Sequence, residues 1–337
     1  MKYLAFGEIM LRLKGPGQER LLQSPVMEAS FGGSEANAAV SMANYGLDID
    51  FLTILPDNPI GRACAAELRR FGVSTAPILW REGRIGVFYI ESGANQLPSS
   101  VTYDRDWSTM ALAKPGDVDW DAVFQGVDWF HVTGITPGVS KSAMELTFEG
   151  LAEAQKRRIT VSCDYNYRAA LWKYGQRAED VLRKMSEWIN VLFASEFDLM
   201  RTFGFKAPAL KDPAGRCRVL GDAAMERCPS LRIIASTLRE VRGADDNDWS
   251  ACLNNGENFY CSQHYDIPHI VDRIGTGDSF AGALLYGLEH CGGKQQALEF
   301  ATAAACLKHS IPGDFNRIRV SDVNALISGD SIGRVRR

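Results

Sequence analysis

The second half of the chain alternates short apolar runs with helix-forming segments, and this alternation limits the fold more than any other feature of the sequence. Four runs after Val118 have the length and the branched or aromatic content of buried strands. They are Trp129–Gly134, Ile159–Cys163, Val191–Ala194 and Leu231–Ala235. The clearest helices between them are Lys141–Arg157 and Glu196–Phe203. The pattern predicts an α/β fold whose central, mostly parallel sheet carries helices on both faces.

The residues that follow these strands are the first candidates for chemistry. In open parallel sheets, ligands bind in the crevice beyond the carboxyl ends of the strands. The candidates are Gly134 with Ile135, the run Asp164–Arg168, the run Ser195–Asp198 and the run Ser236–Arg239.

The run Val271–Phe280 combines two glycines, a carboxylate and the start of a helix. Apolar residues recur at helical spacing after Asp278, so Gly275 and Gly277 fall in the N-terminal turn. A helix start presents unpaired backbone N–H groups at the positive end of the helix dipole. The turn is therefore a candidate site for a phosphate or a developing anion, with Asp278 as the proton acceptor. The alternative interpretation is that Asp278 is an N-cap.

The composition is that of an ordinary soluble globular protein. The chain has 337 residues, 46% hydrophobic and 23% charged, enough for a large core. A net charge of -4 gives no reason to expect a nucleic acid or a membrane as a partner. No apolar run reaches the ~20 residues of a membrane span, and Glu8 comes too early for a signal peptide, so a cytoplasmic location is expected. The cysteines and histidines show no ligand spacing, which predicts reduced thiols and no transition-metal centre.

A different pattern runs from about residue 78 to residue 111, where short alternating segments carry aromatic residues at selected places. Tyr89 falls on one face of a strand, and Tyr103 shares a face with Arg105 on another. Aromatic residues in strands are most often core residues or cross-strand partners. An arginine beside a tyrosine also suits a sugar acid, because a guanidinium binds a carboxylate in a bidentate manner.

Three motifs together resemble the ribokinase-like carbohydrate kinases, also called the phosphofructokinase B family. The residues that match the motif D-T-x-G-A-G-D-x-F are Asp272, Gly275, Gly277, Asp278 and Phe280. Those that match G-G-x-x-x-N are Gly32, Gly33 and Asn37, and those that match D-x-N-x-R are Asp164, Asn166 and Arg168. More narrowly, Tyr89, the triplet Tyr103–Arg105 and Leu171-Trp172 resemble 2-keto-3-deoxygluconate kinases.

The resemblance implies a single ribokinase-like domain over residues 1–337, with a small β-sheet lid formed from about 9–30 and 78–111. It makes Asp278 the catalytic base, assisted by the backbone of Gly275 and Gly277 and by Arg168. The residues implied to bind the sugar are Gly33, Asn37, Tyr89, Tyr103, Arg105, Ile135, Arg168 and Asp278. Those implied to bind the nucleotide are Ser195, Thr237, Gly243, Thr276, Gly277 and His309.

The same resemblance implies ATP and Mg²⁺, with K⁺ as a further ion. The run Ser195–Asp198 stands where the family has N-x-x-E, so Glu196 or Asp198 is implied in indirect Mg²⁺ binding. First-turn helix carboxylates favoured by the dipole are the alternative interpretation of both acids. Asp272 is implied to bind a monovalent cation, as in some relatives. Family analogy also implies a homo-oligomer formed through the lid sheet.

The expected activity is ATP-dependent phosphorylation of 2-keto-3-deoxy-D-gluconate, or a close keto-sugar acid, to its 6-phosphate. A kinase of a neutral sugar such as fructose or ribose stays open, as does a non-catalytic sugar-binding protein on the same fold. A nicotinamide-dependent oxidoreductase is disfavoured because no G-x-G-x-x-G follows the first strand. The tail Ser328–Arg337 has little apolar content and is predicted to be unpacked.

Overall fold

The computed structural model describes residues 1–330. Its strands are β1 (Lys2–Phe6), β2 (Met10–Lys14), β3 (Glu28–Gly32), β4 (Asp48–Leu52), β5 (Ile54–Pro56), β6 (Leu79–Arg81), β7 (Val87–Glu91), β8 (Ser100–Asp104), β9 (Trp129–Thr133), β10 (Thr160–Asp164), β11 (Val191–Phe193), β12 (Ile233–Val241), β13 (Asp246–Asn254), β14 (Phe259–Cys261) and β15 (Tyr265–Pro268). Its helices are α1 (Ser34–Asn44), α2 (Pro59–Arg70), α3 (Trp120–Val123), α4 (Ile135–Val139), α5 (Lys141–Lys156), α6 (Ala178–Met185), α7 (Glu196–Phe203), α8 (Pro213–Arg227), α9 (Thr276–His290), α10 (Lys294–Lys308) and α11 (Val320–Ile327).

The central sheet has nine strands within residues 1–330, in the order β14, β13, β12, β11, β10, β9, β1 and β4, with β15 paired to β13. Every neighbouring pair from β12 to β4 is parallel, and the pairs beyond β12 are antiparallel. The prediction of a mostly parallel sheet is confirmed. Strand β12 does not end at Ala235 as predicted but continues to Val241, because β13 pairs with it along its length.

Strand β1 shows how the sheet separates two apolar layers. Tyr3 and Ala5 pack in the layer that contains α1, α9 and α10. Leu4 and Phe6, which point to the opposite face, pack in the layer that contains α5, α6, α7 and α8. All four side chains are fully buried, and burial of a large apolar side chain contributes roughly 1.5–3 kcal/mol. Helices on both faces, as predicted, are therefore required to cover the sheet.

A separate small sheet has the strand order β3, β2, β7 and β8. The pair formed by β2 and β7 is parallel, and the outer pairs are antiparallel. These strands come from both segments predicted for a small sheet, which confirms that such a sheet exists. Strand β6 also lies in the predicted lid segment 78–111, but it is not part of the small sheet. It pairs with β5 in a separate sheet of two strands.

Helix α11 and the turn that follows it end the described part of the chain. The prediction of an unpacked tail concerns residues that lie mostly outside this part, since 331–337 are not described. Within residues 1–330, none of the helices combines the length and the apolar character needed to cross a lipid bilayer.

Candidate active site

A cavity of about 1100 Å³ lies between the small sheet and the carboxyl ends of β9, β10 and β11. This is the edge at which parallel sheets bind their ligands. The predicted site residues in its wall are Gly33, Asn37, Tyr103, Arg105, Ile135, Arg168, Ser195, Glu196, Asp198, Thr237, Gly275, Thr276, Gly277 and Asp278. The structure thus brings together segments that are far apart in the sequence.

Helix α9 begins at the cavity with two glycines that serve different purposes. Gly275 has a φ of 77°, in the left-handed region, and a Cβ added there would lie 2.2 Å from the carbonyl oxygen of Asp314. A Cβ added at Gly277 would meet no atom within 4 Å, so this side of the turn is open. No side chain caps the helix. Its first N–H groups are therefore available to an anion in the cavity.

Asp278 lies in the first turn of α9 and not at its N-cap, which is Gly275, so the N-cap interpretation is wrong. Its carboxylate accepts hydrogen bonds from Ser34 Oγ at 2.5 Å and from Asn37 Nδ2 at 2.7 Å. Burial raises the pKa of Asp278 above its ordinary value, against the two hydrogen bonds and the charge of Arg168, which lower it. A buried carboxylate with a raised pKa is suited to accept a proton from an alcohol.

Helix α1 brings the two hydrogen-bond donors to this carboxylate. Its N-cap is Gly33, where an added Cβ would lie 2.1 Å from the carbonyl oxygen of Glu8. Because glycine permits this approach, the helix starts against the end of β1. Asn166 Nδ2 donates to Ser34 Oγ at 2.8 Å, and the amide of Gly33 donates to Asn37 Oδ1 at 3.3 Å. Two residues of α1, together with Asn166 after β10, thus hold the candidate base in one orientation.

Arg105 in the small-sheet wall is paired with an acid that the sequence analysis did not select. Its Nε donates to Glu8 Oε2 at 2.7 Å, and its Nη2 donates to the same oxygen. Ser108 Oγ donates to Glu8 Oε1 at 2.5 Å, and the guanidinium lies 5.6 Å from the centre of the Tyr103 ring. Within residues 1–330, Arg105 Nη1 has no hydrogen-bond partner. That nitrogen is the one left to contact a ligand.

Tyr89, which was predicted at the sugar site, does not lie in the cavity wall. The register of β7 and β8 places Phe88 opposite Tyr103, with the two ring centroids 6.4 Å apart. Both of these rings belong to the wall. Since side chains alternate along a strand, Tyr89 points to the other face of the small sheet. Phe88 takes the place that was predicted for Tyr89.

Three arginines bring positive charge to the cavity wall. Arg168 is exposed, and within residues 1–330 its guanidinium donates to the main-chain oxygen of Tyr167 at 3.4 Å. Arg239 lies 5.1 Å from the centre of the Trp249 ring. Arg239 is exposed and lines the cavity, and desolvation by the cavity wall, then repulsion from Arg273 and Arg168, lowers its pKa. An anion between these arginines would relieve the repulsion.

Helix α7 begins with a capping box at the same edge. Ser195 Oγ accepts from the amide of Asp198 at 3.2 Å, and Asp198 Oδ2 accepts from the amide of Ser195 at 3.0 Å. Glu196 accepts from Arg216 Nε at 2.6 Å. Both acids lie in the first turn of α7, as the alternative interpretation predicted, and Glu196 is in addition held in an ion pair. The Mg²⁺ role of these two acids stays a prediction.

Carboxylates in the cavity repel one another. Burial, followed by repulsion from Asp278 and Asp198, raises the pKa of Asp164 to about 8. In the described part of the chain, no group of three or more His, Cys, Asp or Glu side chains is placed to hold a metal ion alone. The donor set fits a Mg²⁺ that is bound mainly through phosphates and waters, whose charge would relieve this repulsion.

Three other predicted residues lie outside the cavity wall. Gly243 is in the turn after β12, where its carbonyl oxygen accepts from Arg273 Nη2 at 3.2 Å. His309 is fully buried, its ring packs against Trp249 at 5.2 Å, and burial lowers its pKa to about 4. The carboxylate of Asp272 forms a buried ion pair with Arg12. Neither Gly243 nor His309 lines the cavity, and their role at the nucleotide stays a prediction.

Three residues of the wall received no role from the sequence, and two of them carry a usable signal. Glu8 is a carboxylate at the end of an apolar strand, and a buried charge of this kind requires a partner. Ser34 is a hydroxyl residue at a helix start, directly after two glycines. Arg239 lies in the run Ser236–Arg239 that was selected as following a strand, but no role was assigned to it.

Comparison with known proteins gives full-length matches. The pfkB family carbohydrate kinase profile matches residues 2–316. The 2-dehydro-3-deoxygalactonokinase of Haloferax volcanii is 31% identical over 330 residues, which cover 98% of each chain. The crystal structure of 2-dehydro-3-deoxygluconokinase from Thermotoga maritima has a TM-score of 0.92 and 41% identity, and covers 98% of this chain and 100% of that one. A PfkB family carbohydrate kinase from Listeria grayi has a TM-score of 0.91 and 30% identity, over 97% of this chain and 100% of that one.

These matches span the same segments that build the cavity, from the glycines before α1 to the start of α9. They agree with what the site can do chemically, since a carboxylate base beside an anion site suits transfer of a phosphoryl group to an alcohol. The chain therefore belongs to the pfkB family of carbohydrate kinases, which are phosphotransferases with an alcohol group as acceptor.

Proposed function

We propose that this enzyme transfers the γ-phosphate of ATP to the primary hydroxyl of 2-keto-3-deoxy-D-gluconate, or of a close keto-sugar acid, and forms the 6-phosphate. The observation that carries the proposal is one cavity in which Asp278, at the start of α9, shares the wall with Arg105 and Arg168. The names of the Haloferax and Thermotoga relatives, 2-dehydro-3-deoxygalactonokinase and 2-dehydro-3-deoxygluconokinase, refer to sugar acids of this class.

Asp278 would accept the proton of the sugar hydroxyl while the hydroxyl oxygen forms its bond to the γ-phosphorus. The bond from that phosphorus to the oxygen bridging the β- and γ-phosphates breaks, and ADP leaves. The amides around Gly275 and Gly277, at the positive end of α9, would stabilise the negative charge on the transferred group. Ser34 and Asn37 hold the carboxylate in place during this step.

The positive charges of Arg239 and Arg273 suit the nucleotide phosphates, with Ser195, Thr237 and Thr276 in the same wall. When bound, Mg²⁺ would neutralise phosphate charge, held largely through water by acids of the wall such as Asp198 and Asp164. Arg168, whose guanidinium is exposed, would donate hydrogen bonds to the phosphoryl group during its transfer from ATP to the sugar.

Two cationic groups are available for the carboxylate of a sugar acid, namely Arg105 Nη1 and Arg168. The ion pair between Glu8 and Arg105 favours a second candidate, a kinase of a neutral sugar, because Glu8 already balances the charge of Arg105. A neutral sugar such as fructose or ribose would leave that ion pair undisturbed. The sugar-acid names of the Haloferax and Thermotoga relatives support the first candidate.

The small sheet is proposed to act as a lid over the sugar and to pair with a second copy of the chain. Phe88 and Tyr103 on its inner face line the cavity, so closure of the sheet would exclude water from the transferred phosphoryl group. Leu22, Val26 and Leu97 on nearby segments are 80%, 55% and 50% exposed. Exposed apolar residues beside sheet edges favour association. Light scattering after gel filtration measures the subunit number and would give a monomer if this is wrong.

The substrate proposal is tested by a coupled assay for ADP with the purified protein and MgATP. The panel contains 2-keto-3-deoxygluconate, 2-keto-3-deoxygalactonate, fructose and ribose. The kcat/KM for a keto acid should exceed that for either neutral sugar by about tenfold or more, the factor expected from one charge-assisted contact. A higher kcat/KM for fructose or ribose would support the second candidate and contradict the first.

A further inference from the structure

Lys308, at the end of α10, is fully buried beneath the anion site. Its ammonium donates to three main-chain oxygens, those of Ile274 at 3.0 Å, Ile311 at 3.1 Å and Gly313 at 2.8 Å. An ammonium has three N–H donors, so all of them are used. The mechanism proposed above leaves this buried charge without a role.

The three oxygens come from two segments that meet at the start of α9. Ile274 precedes Gly275 in the turn whose amides face the cavity, and the other two oxygens lie in the chain after α10. The same two segments touch where Gly275 approaches the carbonyl oxygen of Asp314. Through these hydrogen bonds Lys308 links the turn that forms the anion site to the segment that follows α10.

A monovalent cation was expected beside Asp272, but the residues present do not fit one. Asp272 Oδ2 accepts from Arg12 Nη2 at 2.7 Å and from the amide of Gly313 at 3.0 Å, and Oδ1 accepts from the amide of Ile274 at 3.0 Å. The main-chain oxygens that would suit K⁺ are bound by Lys308.

The charges around the position are already balanced. Arg12 Nη1 donates to Asp314 Oδ1 at 2.5 Å, so Arg12 and Lys308 stand opposite Asp272 and Asp314. Burial lowers the pKa of Lys308, and the two carboxylates counter this effect. A further inorganic cation would add an uncompensated charge to a buried site, which is costly.

We propose that Lys308 is a positioning residue whose ammonium supplies, from within the chain, the positive charge that a monovalent cation was expected to supply. The phosphotransfer reaction of this enzyme then needs no K⁺. Removal of the ammonium leaves a site of main-chain oxygens that K⁺ or NH₄⁺ fills. The inference rests on the proposed function only in using phosphotransfer as one of two readouts.

The test compares the wild type, Lys308→Ala and Lys308→Met, with Lys294→Ala at the other end of α10 as the control. Rates and thermal unfolding are measured in tetramethylammonium, Na⁺, K⁺ and NH₄⁺ chlorides at equal ionic strength. Lys308→Ala should lose kcat by about ten- to a hundredfold without K⁺, since misplacement of an anion site by about 1 Å has effects of this size. K⁺ or NH₄⁺ should restore much of kcat and raise the Tm of this variant.

Lys308→Met keeps the aliphatic stem, which blocks the vacated space, so it should lose kcat and gain nothing from K⁺. The wild type and Lys294→Ala should be indifferent to the cation in both readouts. The proposal is overturned if K⁺ activates the wild type, if Lys308→Met keeps the wild-type kcat, or if a folded Lys308→Ala gains neither rate nor Tm from K⁺ or NH₄⁺. A wrong assignment of the sugar would appear separately, as absence of phosphotransfer in the wild type while the Tm readout still reports on Lys308.

Discussion

The ion pair between Glu8 and Arg105 gives the most quantitative prediction. The two side chains are 2% and 5% exposed, so Glu8→Gln leaves a buried guanidinium without its counter-charge. Breaking a buried pair from one side costs about 3–5 kcal/mol, and the lower end applies because glutamine retains an acceptor oxygen. A chain of 337 residues has an unfolding entropy of about 0.7 kcal/mol/K at roughly 2.1 cal/mol/K per residue. The expected loss of Tm is therefore about 4 °C.

The substrate makes this prediction specific to the proposed function. A sugar acid bound near Arg105 would return a negative charge to the unpaired guanidinium. The rise in Tm on addition of 2-keto-3-deoxygluconate should therefore be larger for Glu8→Gln than for the wild type, whereas fructose should produce no such difference. Differential scanning calorimetry with and without each ligand measures both effects.

The control is Glu179→Gln, which breaks an exposed pair with Arg177 of similar length, 2.6 Å. Exposed pairs contribute about 0–1 kcal/mol, so the Tm of this variant should change by little more than about 1 °C. The reasoning is refuted if Glu8→Gln loses no more Tm than the control. The assignment of a sugar acid is refuted if the keto acid stabilises Glu8→Gln no more than it stabilises the wild type.

Three further predictions concern the cavity wall. Arg168→Met should lower kcat by about a hundredfold with little change in Tm, because its exposed guanidinium contacts the main chain alone within residues 1–330; kinetics and calorimetry on one preparation check both. Phe88→Ala should raise the KM for the sugar, whereas Tyr89→Phe should leave kcat and KM unchanged, and a Tyr89→Phe variant with a raised KM would contradict the register of β7 and β8. The ligand-free enzyme should lose stability as pH rises from about 6.5, the ordinary pKa of a histidine, to about 8; below pH 6.5 the lowered pKa of the buried His309 acts in the opposite direction, because the unfolded state then binds the additional proton. Glu35, a fully buried acid in the first turn of α1 behind the cavity wall, accepts hydrogen bonds from Thr133 and Thr136. Burial, first among the causes, raises the pKa of Glu35 to about 7 and that of Asp164 to about 8, so the folded state binds these protons more tightly than the unfolded state. The stability that the two acids contribute is fully present below their ordinary pKa values and is lost as pH rises through the raised pKa values. Asp164→Asn should therefore remove the upper part of this loss of stability, which thermal unfolding at a series of pH values measures. An unchanged pH profile would contradict the prediction.

The parts of the site that could be predicted from the sequence depend on local structure. Gly275, Gly277 and Asp278 lie within one turn, and the start of a helix follows from the spacing of the residues after it. The strand ends of β9, β10 and β11 were also predictable, because their apolar runs are short and bounded by polar residues.

The parts that could not be predicted depend on contacts between distant segments. Alternation along β7 shows that Phe88 and Tyr89 face opposite ways, but only the packing of the small sheet decides which of them faces the cavity. The resemblance assigned Asp272 to an ion, and its actual partner, Arg12 on β2, is 260 residues away in the sequence and gives no local signal. His309 follows a helix that borders the site, yet the packing of its ring against Trp249 turns it away.

The central claim is that Asp278 removes the proton from the sugar hydroxyl at the start of α9. Its most direct test is a side-by-side measurement of kcat for the wild type and Asp278→Asn, with MgATP and saturating 2-keto-3-deoxygluconate. Asparagine keeps the size of the side chain but cannot act as a base, so kcat should fall by about 10²–10⁴-fold while calorimetry shows a folded protein. A folded Asp278→Asn variant that retains the wild-type kcat would contradict the claim.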